Sequence, residues 1–247
     1  MVLDKGRVGR GECGNLLLFM KILLACEESQ AVTIEFRKLG HEAYSCDILP
    51  CSGGHPEWHL QDKLENVIGD GSEWDMIIAF PDCTYLTVTG NKWMKDQPAR
   101  KSGALVGEAR REAREKALAF VCMILNKNCS RISIENPVGC ISTRIRRVGG
   151  VYKVVSEGMG NFKPSQIIQP FQFGHPEPKK TCLWLKGLPL LKPTDVVDQE
   201  PYHITKSGKT MPRWYAYADK SQGQKERAKI RSKTFPGIAR AMATQWS

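Results

Sequence analysis

The sequence contains no uninterrupted apolar run of about 18 residues, which excludes a membrane-spanning helix and predicts no membrane partner. It also lacks internal repeats. Its 41% hydrophobic and 25% charged residues are ordinary globular values, which exclude a disordered chain, a coiled coil and a collagen-like fibre. A chain of 247 residues is long enough for one large domain, or for one domain with a small appendage.

A disulfide framework is lacking as well. The chain has nine cysteines, an odd number, and they are scattered over a sequence that is not short. This usage predicts reduced thiols and a cytoplasmic location. Residues 15–26 weakly resemble a signal peptide, but Lys21 splits the apolar run and favours a buried strand instead.

Acidic residues are outnumbered by basic ones. Lys and Arg total 36 against 26 for Asp and Glu, which gives a formal net charge of +10. Such an excess favours a polyanionic partner, most often nucleic acid. The alternative is a soluble protein that is basic without such a partner.

Strand-like and helix-like segments alternate along the chain. Short apolar runs predict strands at residues 21–26, 42–48, 74–80 and 131–134, and later strands at 165–173 and 181–185. A helix capped by Ser29 and ended by Gly40 separates the first two strands. Further helices are predicted at about 105–127 and from Thr234. This alternation predicts an α/β fold with an open, doubly wound, mostly parallel sheet.

The predicted helix at 105–127 carries basic residues in its early part. They are Arg110, Arg111, Arg114 and Lys116. We interpret them as a solvated helix face.

Chemistry is expected directly after the strands, because ligands of open parallel sheets bind beyond the carboxyl ends of the strands. Asp47 ends the second strand and is well placed to hold a ribose diol. The first turn has Cys26-Glu27-Glu28-Ser29 in place of G-x-G-x-x-G, so a pyrophosphate is not expected there. Glu27 and Glu28 suit the cationic amino group and sulfonium of S-adenosylmethionine. The alternative is that they are ordinary acidic residues in the first turn of a helix.

Two further strand ends carry a thiol and a carboxyl. Cys83 lies in a Pro-Asp-Cys turn, and Glu135 follows the next strand. A thiolate can attack an electron-poor ring while an acid protonates the ring nitrogen. A zinc site at Cys46, Cys51, His55 and His59 is the competing interpretation, but the spacing matches no standard site, and we expect no metal.

Five segments, in order over roughly residues 21–186, resemble motifs of the cytosine-5 DNA methyltransferases. Residues 74–83 resemble the strand-Pro-Pro-Cys nucleophile motif, and Thr87-Val88-Thr89-Gly90 resembles Ser-x-Ala-Gly. Ile134-Glu135-Asn136-Pro137 resembles the family's Glu-Asn-Val motif. Gly69-Asp70 resembles the segment with the aspartate that contacts the cofactor adenine. Residues 173–181 resemble the motif Tyr-Gly-x-Pro-Gln-x-Arg-x-Arg. The chain is also similar to short phage-borne members of this family.

The resemblance implies a Rossmann-like methyltransferase sheet, S-adenosylmethionine as cofactor, and cytosine in DNA as substrate, in a bacterial host or a phage-infected cell. The implied catalytic residues are Cys83, Glu135 and Lys179. The implied cofactor site consists of Cys26, Glu27, Ser29, Asp47, Asp70 and Phe80. Arg144, Arg146, Arg147 and Lys153 are expected to contact DNA phosphates, or to serve only as solubilising charge.

The sequence departs from the family at several positions. The glycines of the first motif are absent, and Asp82 replaces the second proline beside Cys83, where a carboxylate raises the pKa of a thiol. Lys179 and Thr181 stand where the family has arginines, and neither has the planar guanidinium fork. These departures favour two alternatives: modification of a free pyrimidine nucleotide, or a non-catalytic nucleic-acid-binding protein on the same scaffold.

The expected domain organisation follows from these assignments. Residues 1–19 are predicted to be a dispensable extension, with the first strand starting near Met20. Residues 20–188 and 234–247 form the methyltransferase-like catalytic domain. Residues 189–233 form a short basic segment in place of a full target-recognition region.

Overall fold

The structure is a computed structural model that describes residues 8–10, 16–205, 207–214 and 232–247. In chain order the strands are β1 (Val8–Arg10), β2 (Leu16–Leu18), β3 (Lys21–Ala25), β4 (Glu42–Asp47), β5 (His59–Gln61), β6 (Met76–Ala79), β7 (Ile132–Pro137), β8 (Ile145–Val148), β9 (Val151–Val154), β10 (Gln166–Ile168), β11 (Thr181–Lys186), β12 (Tyr202–Ile204) and β13 (Thr210–Pro212).

The described helices lie between and after these strands. They include the α-helices α1 (Ala31–Lys38), α2 (Leu64–Val67), α3 (Gly107–Leu125), α4 (Ile141–Arg144) and α5 (Pro236–Trp246), and short 3-10 helices at Pro56–Trp58, Val88–Met94 and Pro170–Gln172.

A seven-stranded sheet in the order β10-β11-β7-β6-β3-β4-β5 forms the centre of the molecule. The pairs β3–β4, β3–β6, β4–β5 and β6–β7 are parallel, whereas β11 runs antiparallel to both β7 and β10. The chain leaves β3 in one direction to form β4 and β5, and then returns to the other side of β3 to form β6 and β7. This architecture confirms the predicted α/β fold with a doubly wound, mostly parallel sheet.

The inner strands are apolar on both faces because helices cover both sides. Ile22 and Leu24 of β3 face one cluster of buried residues, and Leu23 and Ala25 face the other. The first cluster contains α1 and α5, and the second contains α3 and α2. This alternation along β3 is the period of two that a strand imposes on its side chains.

Helix α5 packs against α1 and closes one face of the sheet. Its Ile238, Met242 and Trp246 are buried, as the sequence pattern predicts. At the edge of this face, His41 accepts a hydrogen bond from the Met20 amide at Nδ1 (3.3 Å), and its Nε2 lies 2.9 Å from the Ser247 hydroxyl. One imidazole therefore joins the start of β3 to the end of α5.

Three local predictions are wrong. Helix α1 has Gln30 rather than Ser29 as its N-cap, and no side chain at that position caps it. Arg110 and Arg114 of α3 are buried, although Arg111 and Lys116 are exposed as expected. Only Gln166–Ile168 of the predicted strand at 165–173 is extended, because Pro170–Gln172 forms a 3-10 turn.

The segments outside the central sheet form small hairpins. Strands β1 and β2 pair within the predicted extension, and β12 and β13 pair within the basic segment 189–233. The predictions that residues 1–19 are dispensable and that 189–233 recognises the target remain predictions. The described helices include none that is long and apolar enough to span a bilayer, and the described cysteines carry free thiols.

Candidate active site

The predicted site residues, except Asp70 and the basic hairpin described below, gather at the carboxyl ends of the parallel strands. Strands β3 and β6 are neighbours here, and the chain leaves them toward opposite sides of the sheet, which is the switch point where ligands of such sheets bind. The amide of Phe80, at the end of β6, donates to the carbonyl of Ala25, at the end of β3 (2.9 Å). This bond joins the turn after β3 to the turn that carries Cys83.

The turn after β3 reverses sharply at Cys26, whose φ of 61° is in the left-handed region. Its amide donates to the carbonyl of Cys46 in β4 (2.7 Å). Burial, together with the nearby carboxylates of Asp47 and Glu65, raises the pKa of the Cys26 thiol. A protonated thiol of this kind lines the site and does not act as a nucleophile.

Glu27 turns away from the strand ends and toward α1. Its carboxylate accepts hydrogen bonds from the amides of Val32 (2.6 Å) and Thr33 (3.2 Å) and from the Thr33 hydroxyl (2.7 Å). These groups are the free N–H donors that every helix has at its start. Burial is the main cause that raises the pKa of Glu27, to about 7. Glu27 therefore caps the start of α1, which is the role that the sequence predicted for Ser29.

Glu28 and Asp47 face each other across the strand ends. One carboxylate oxygen of Glu28, Oε2, is buried without a hydrogen-bond partner. Burial raises the pKa of Asp47, and the Glu28 charge adds to that effect. The turn after β3 and the end of β4 thus bring two carboxyl groups to this edge of the sheet, and one of them has a buried oxygen without a partner.

The loop after β4 closes over this turn. The amide of Ser52 donates to the carbonyl of Glu28 (2.8 Å), and Gly53 packs so tightly that a Cβ there would lie 2.7 Å from the carbonyl of Ser29. Gln30 fastens the loop by donating to the carbonyl of His55 (2.8 Å) and accepting from its amide (3.1 Å). The position of Ser29 is thereby fixed beside the two acids.

Cys83 lies in a loop that is held on both sides. Asp82 accepts hydrogen bonds from the amide (2.9 Å) and hydroxyl (2.7 Å) of Thr84. The buried side chain of Asn136 in β7 donates to the carbonyl of Pro81 (2.8 Å). Further along, the Cys140 amide donates to the carbonyl of Leu86 (2.8 Å). The segment that follows β7 therefore supports the loop before and after Cys83.

All three predicted catalytic residues, Cys83, Glu135 and Lys179, come together from separate segments. The pKa of the Cys83 thiol is raised to about 11, mainly by burial and also by Asp82 and Glu135, against the opposing effect of Lys179. Burial also raises the pKa of Glu135, against the opposing effects of Lys179 and the Thr181 hydroxyl. Lys179 is thus close enough to influence the protonation of both Cys83 and Glu135, and Glu135 to influence that of Cys83. The expected effect of Asp82 on the thiol is present.

The antiparallel strand β11 explains how Lys179 reaches this edge. Thr181 begins β11 opposite Pro137 at the end of β7, so the residues before Thr181 enter the sheet at the catalytic edge. The Lys179 ammonium donates to the carbonyl of Lys233 (3.4 Å) and lies 5.8 Å from the ring of Phe235. Segments close to both ends of the basic region thus meet at the site.

Asp70 is not brought together with the other predicted cofactor residues. It precedes β6, at the amino-terminal edge of the sheet, where its carbonyl accepts from the amide of Asn128 (2.8 Å). Its carboxylate accepts from the amide and hydroxyl of Ser72. At the carboxyl edge the corresponding place belongs to Asp62, which directly follows Gln61, the β5 partner of Asp47. The sequence gives no signal for the place of Asp62, because β5 is three residues long and follows a polar loop.

Three of the four predicted phosphate-binding residues lie on the hairpin of β8 and β9, and Arg144 ends α4 directly before it. Arg146 and Lys153 are opposite each other in the register, so they share one face, and both are exposed with Arg147. Arg144 differs, since its side chain is only 11% exposed and pairs with Glu115 and Glu157. Arg144 ties the hairpin to α3 instead of projecting from it.

The candidate zinc ligands have separate partners. Cys46 is buried against the carbonyl of Asp62, and His55 stacks on Trp58 with ring centroids 3.9 Å apart. The two ring nitrogens of His59 each lie 2.8 Å from another polar atom, the Ser45 hydroxyl and the Leu49 carbonyl. Among the described residues, no three His, Cys, Asp or Glu side chains form a group that could hold a metal ion.

A solved structure resembles part of this chain. No protein-family model matches the chain, and no curated protein matches it. The structure belongs to a prophage-encoded protein from E. coli that is assigned as a DNA modification methyltransferase, with 10% sequence identity and a TM-score of 0.38. The match covers 72% of this chain and 51% of the other, so the chain spans about half the length of that protein.

Proposed function

We propose that this chain transfers a methyl group from S-adenosylmethionine to carbon 5 of cytosine in DNA through a covalent adduct on Cys83. The proposal is carried by the convergence of Cys83, Glu135 and Lys179 at the switch point of the sheet. A nucleophile, an acid and a cation from three segments are the groups that addition to a pyrimidine ring requires.

Cys83 adds to carbon 6 of the ring as a thiolate. Because the pKa of its thiol is about 11 in the free protein, only a small fraction is ionised at neutral pH. The positive charge of Lys179 favours the thiolate, and it also compensates the negative charge that the addition places on the ring. Asn136 and Cys140 hold the loop so that the sulfur keeps its place during attack.

Glu135 acts as the acid. Its raised pKa keeps the carboxyl protonated closer to neutral pH than an exposed glutamate would be. In the addition step it gives its proton to ring nitrogen 3, and carbon 5 becomes the nucleophile. After methylation, the proton on ring nitrogen 3 returns to Glu135 and the proton on carbon 5 leaves to a base. The electron pair of that carbon–hydrogen bond then expels the Cys83 thiolate as the bond between sulfur and carbon 6 breaks.

Glu28 and Asp47 fit S-adenosylmethionine, which supplies an electrophilic methyl group when it is bound. The free, buried oxygen of Glu28 suits a cationic amino group, and Asp47 at the end of β4 suits the ribose hydroxyls. Cys26 and Phe80 flank these acids on the neighbouring strand ends. Glu27 holds α1 and so fixes the turn from which Glu28 projects.

The substrate in this proposal is a cytosine outside the base stack, since carbon 6 is inaccessible within a duplex. Arg146, Arg147 and Lys153 on the exposed hairpin are placed to contact phosphates. A free pyrimidine nucleotide is the second candidate substrate. The small hairpin of β12 and β13 favours it, because the described part of residues 189–233 offers little surface for reading a DNA sequence.

A DNA duplex with 5-fluorocytosine tests the covalent step. Fluorine replaces the hydrogen that must leave carbon 5, so the methylated adduct cannot be resolved. We expect an adduct on Cys83 that requires S-adenosylmethionine. Cys83→Ser should give none, and Glu135→Gln should slow trapping by about 100-fold, because an amide is not acidic enough to transfer a proton to the ring.

Cys182→Ser is the matched control. Cys182 also lies near Glu135, but it belongs to the interior of β11, so its replacement should leave trapping on Cys83 intact. Methylated cytosine formed by Cys83→Ser would refute the covalent mechanism and favour transfer to the exocyclic amine. Trapping of fluorocytidine nucleotide in place of DNA would favour the second candidate substrate.

A further inference from the structure

Two arginines of α3 are buried without a carboxylate partner. Arg110 is 5% exposed and Arg114 is 6% exposed, and they lie one helical turn apart on the same face. Neither forms an ion pair within the part of the chain that the structure describes. Buried charges are normally paired, because taking a cation out of water costs several kcal/mol.

The partners of both guanidinium groups are in the loop that follows Cys83. Arg110 donates to the carbonyl of Thr84 (2.9 Å), and Arg114 donates to the carbonyl of Tyr85 (2.8 Å). Arg114 also donates to the side-chain oxygen of Asn91 (2.7 Å). Thr84 and Tyr85 are the first two residues after Cys83, so the contacts act directly on the backbone beside the sulfur.

The loop is shaped around these side chains. The guanidinium of Arg110 lies 5.2 Å from the ring of Tyr85. Gly90 is buried against the same guanidinium, and a Cβ at that position would overlap it. The Nε of Arg110 has no hydrogen-bond partner. Two apolar side chains would fill this space without a desolvation cost, so stability alone does not account for the arginines.

We propose that Arg110 and Arg114 are positioning residues that hold the loop after Cys83 and keep its sulfur fixed relative to Glu135. This proposal rests on the proposed function for its catalytic consequence. On one side of the loop, Asn136 and Cys140 hold it at Pro81 and Leu86. On the other side, the two arginines of α3 hold it at Thr84 and Tyr85. The Cys83 loop is therefore fastened between α3 and the end of β7.

The test compares two reactions of Cys83 in Arg114→Ala. Release of the loop should make alkylation of Cys83 by iodoacetamide at least about tenfold faster, because local opening exposes the thiol. The pH profile of alkylation should move to lower pH, since burial is the main cause of the raised pKa. Trapping by 5-fluorocytosine DNA should become at least about tenfold slower, because the attacking atom loses its position.

Two further variants separate positioning from folding. Arg114→Lys keeps the charge but cannot bond the Tyr85 carbonyl and Asn91 together, so its effects should be intermediate. Arg111→Ala is the matched control. Arg111 is exposed on the same helix and contacts Met94 and Asp96 in the distant part of the loop, so both reactions should remain as in the wild type.

The outcomes are distinguishable by peptide mass mapping. Unchanged alkylation of Cys83 in Arg114→Ala would overturn the proposal. Alkylation of the buried Cys122 and Cys182 rising together with that of Cys83 in both Arg114 variants would also overturn it, because the arginines would then serve the whole fold. A wild type that forms no fluorocytosine adduct refutes the proposed function, whereas the alkylation results still decide whether the arginines hold the loop.

Discussion

Glu27→Gln should change the pH dependence of stability, because Glu27 is a buried acid at the start of α1. In the folded chain its pKa is about 7, against an ordinary value of 4.5. The folded state therefore keeps a proton that the unfolded state releases between these two values. The stability that this proton contributes is fully present below pH 4.5 and is lost as the pH rises through about 7.

The size of the effect follows from the separation of the two values. At about 1.4 kcal/mol per pH unit, the difference between 4.5 and about 7 amounts to about 3 kcal/mol, of which roughly 2 kcal/mol falls between pH 5 and pH 8. Gln does not titrate, and its amide nitrogen cannot accept the hydrogen bonds that one oxygen of Glu27 accepts. We expect the stability of Glu27→Gln relative to the wild type to be about 2 kcal/mol lower at pH 5 than at pH 8, because only the wild type loses the contribution of this proton over that range.

Urea unfolding at pH 5 and pH 8 measures this difference. Glu65→Gln is the control, since Glu65 is exposed on α2 and its replacement should leave the gap to the wild type equal at both pH values. A gap for Glu27→Gln that stays constant, or that grows toward pH 8, would refute the reasoning. A stability gap that grows toward pH 8 would mean that the N–H donors of α1 stabilise the Glu27 carboxylate more than burial destabilises it.

Three further outcomes are expected. Asp47→Ala should weaken binding of S-adenosylmethionine by about 1.5–3 kcal/mol in calorimetry, and unchanged affinity would place the ligand elsewhere. A chain starting at Met20 should keep the melting temperature of the full chain, and a loss of several degrees would show that residues 1–19 pack on the domain. Replacing Arg146 and Arg147 by Ala should weaken DNA binding and reduce the salt slope by roughly two, whereas Arg144→Ala should lower the melting temperature instead. An unchanged salt slope would remove the hairpin from the DNA contact.

The part of the site that sequence alone could predict lies at strand ends. Cys83 and Glu135 follow two adjacent, strongly apolar strands, and parallel strands deliver their carboxyl ends to the same edge of a sheet. The motif resemblance added Lys179, whose place depends on β11 running antiparallel. The doubly wound sheet was predictable because strand-like segments, two of them the largely apolar β3 and β6, alternate with helices or loops along the chain.

The remaining features depend on contacts between distant segments. Arg110 and Arg114 look like a solvated helix face in sequence, because helical periodicity gives no information about a loop that folds over the helix. Asp70 precedes its strand and so lies at the opposite edge of the sheet, and a motif match does not reveal the edge. Glu27 replaces Ser29 at the start of α1 because the left-handed turn at Cys26 points its carboxylate toward the helix.

The packing of α5 on α1 has a consequence for synthesis of the chain. The ribosome makes β3 and α1 early, whereas the helix that covers them consists of residues 236–246. Val32 and Phe36 of α1 therefore lack a large part of their apolar cover until nearly all of the described chain has been made. A nascent chain with this surface uncovered is prone to aggregation. The interval before α5 is available is thus the stage at which a chaperone that covers this surface would have the largest effect on the yield of folded protein.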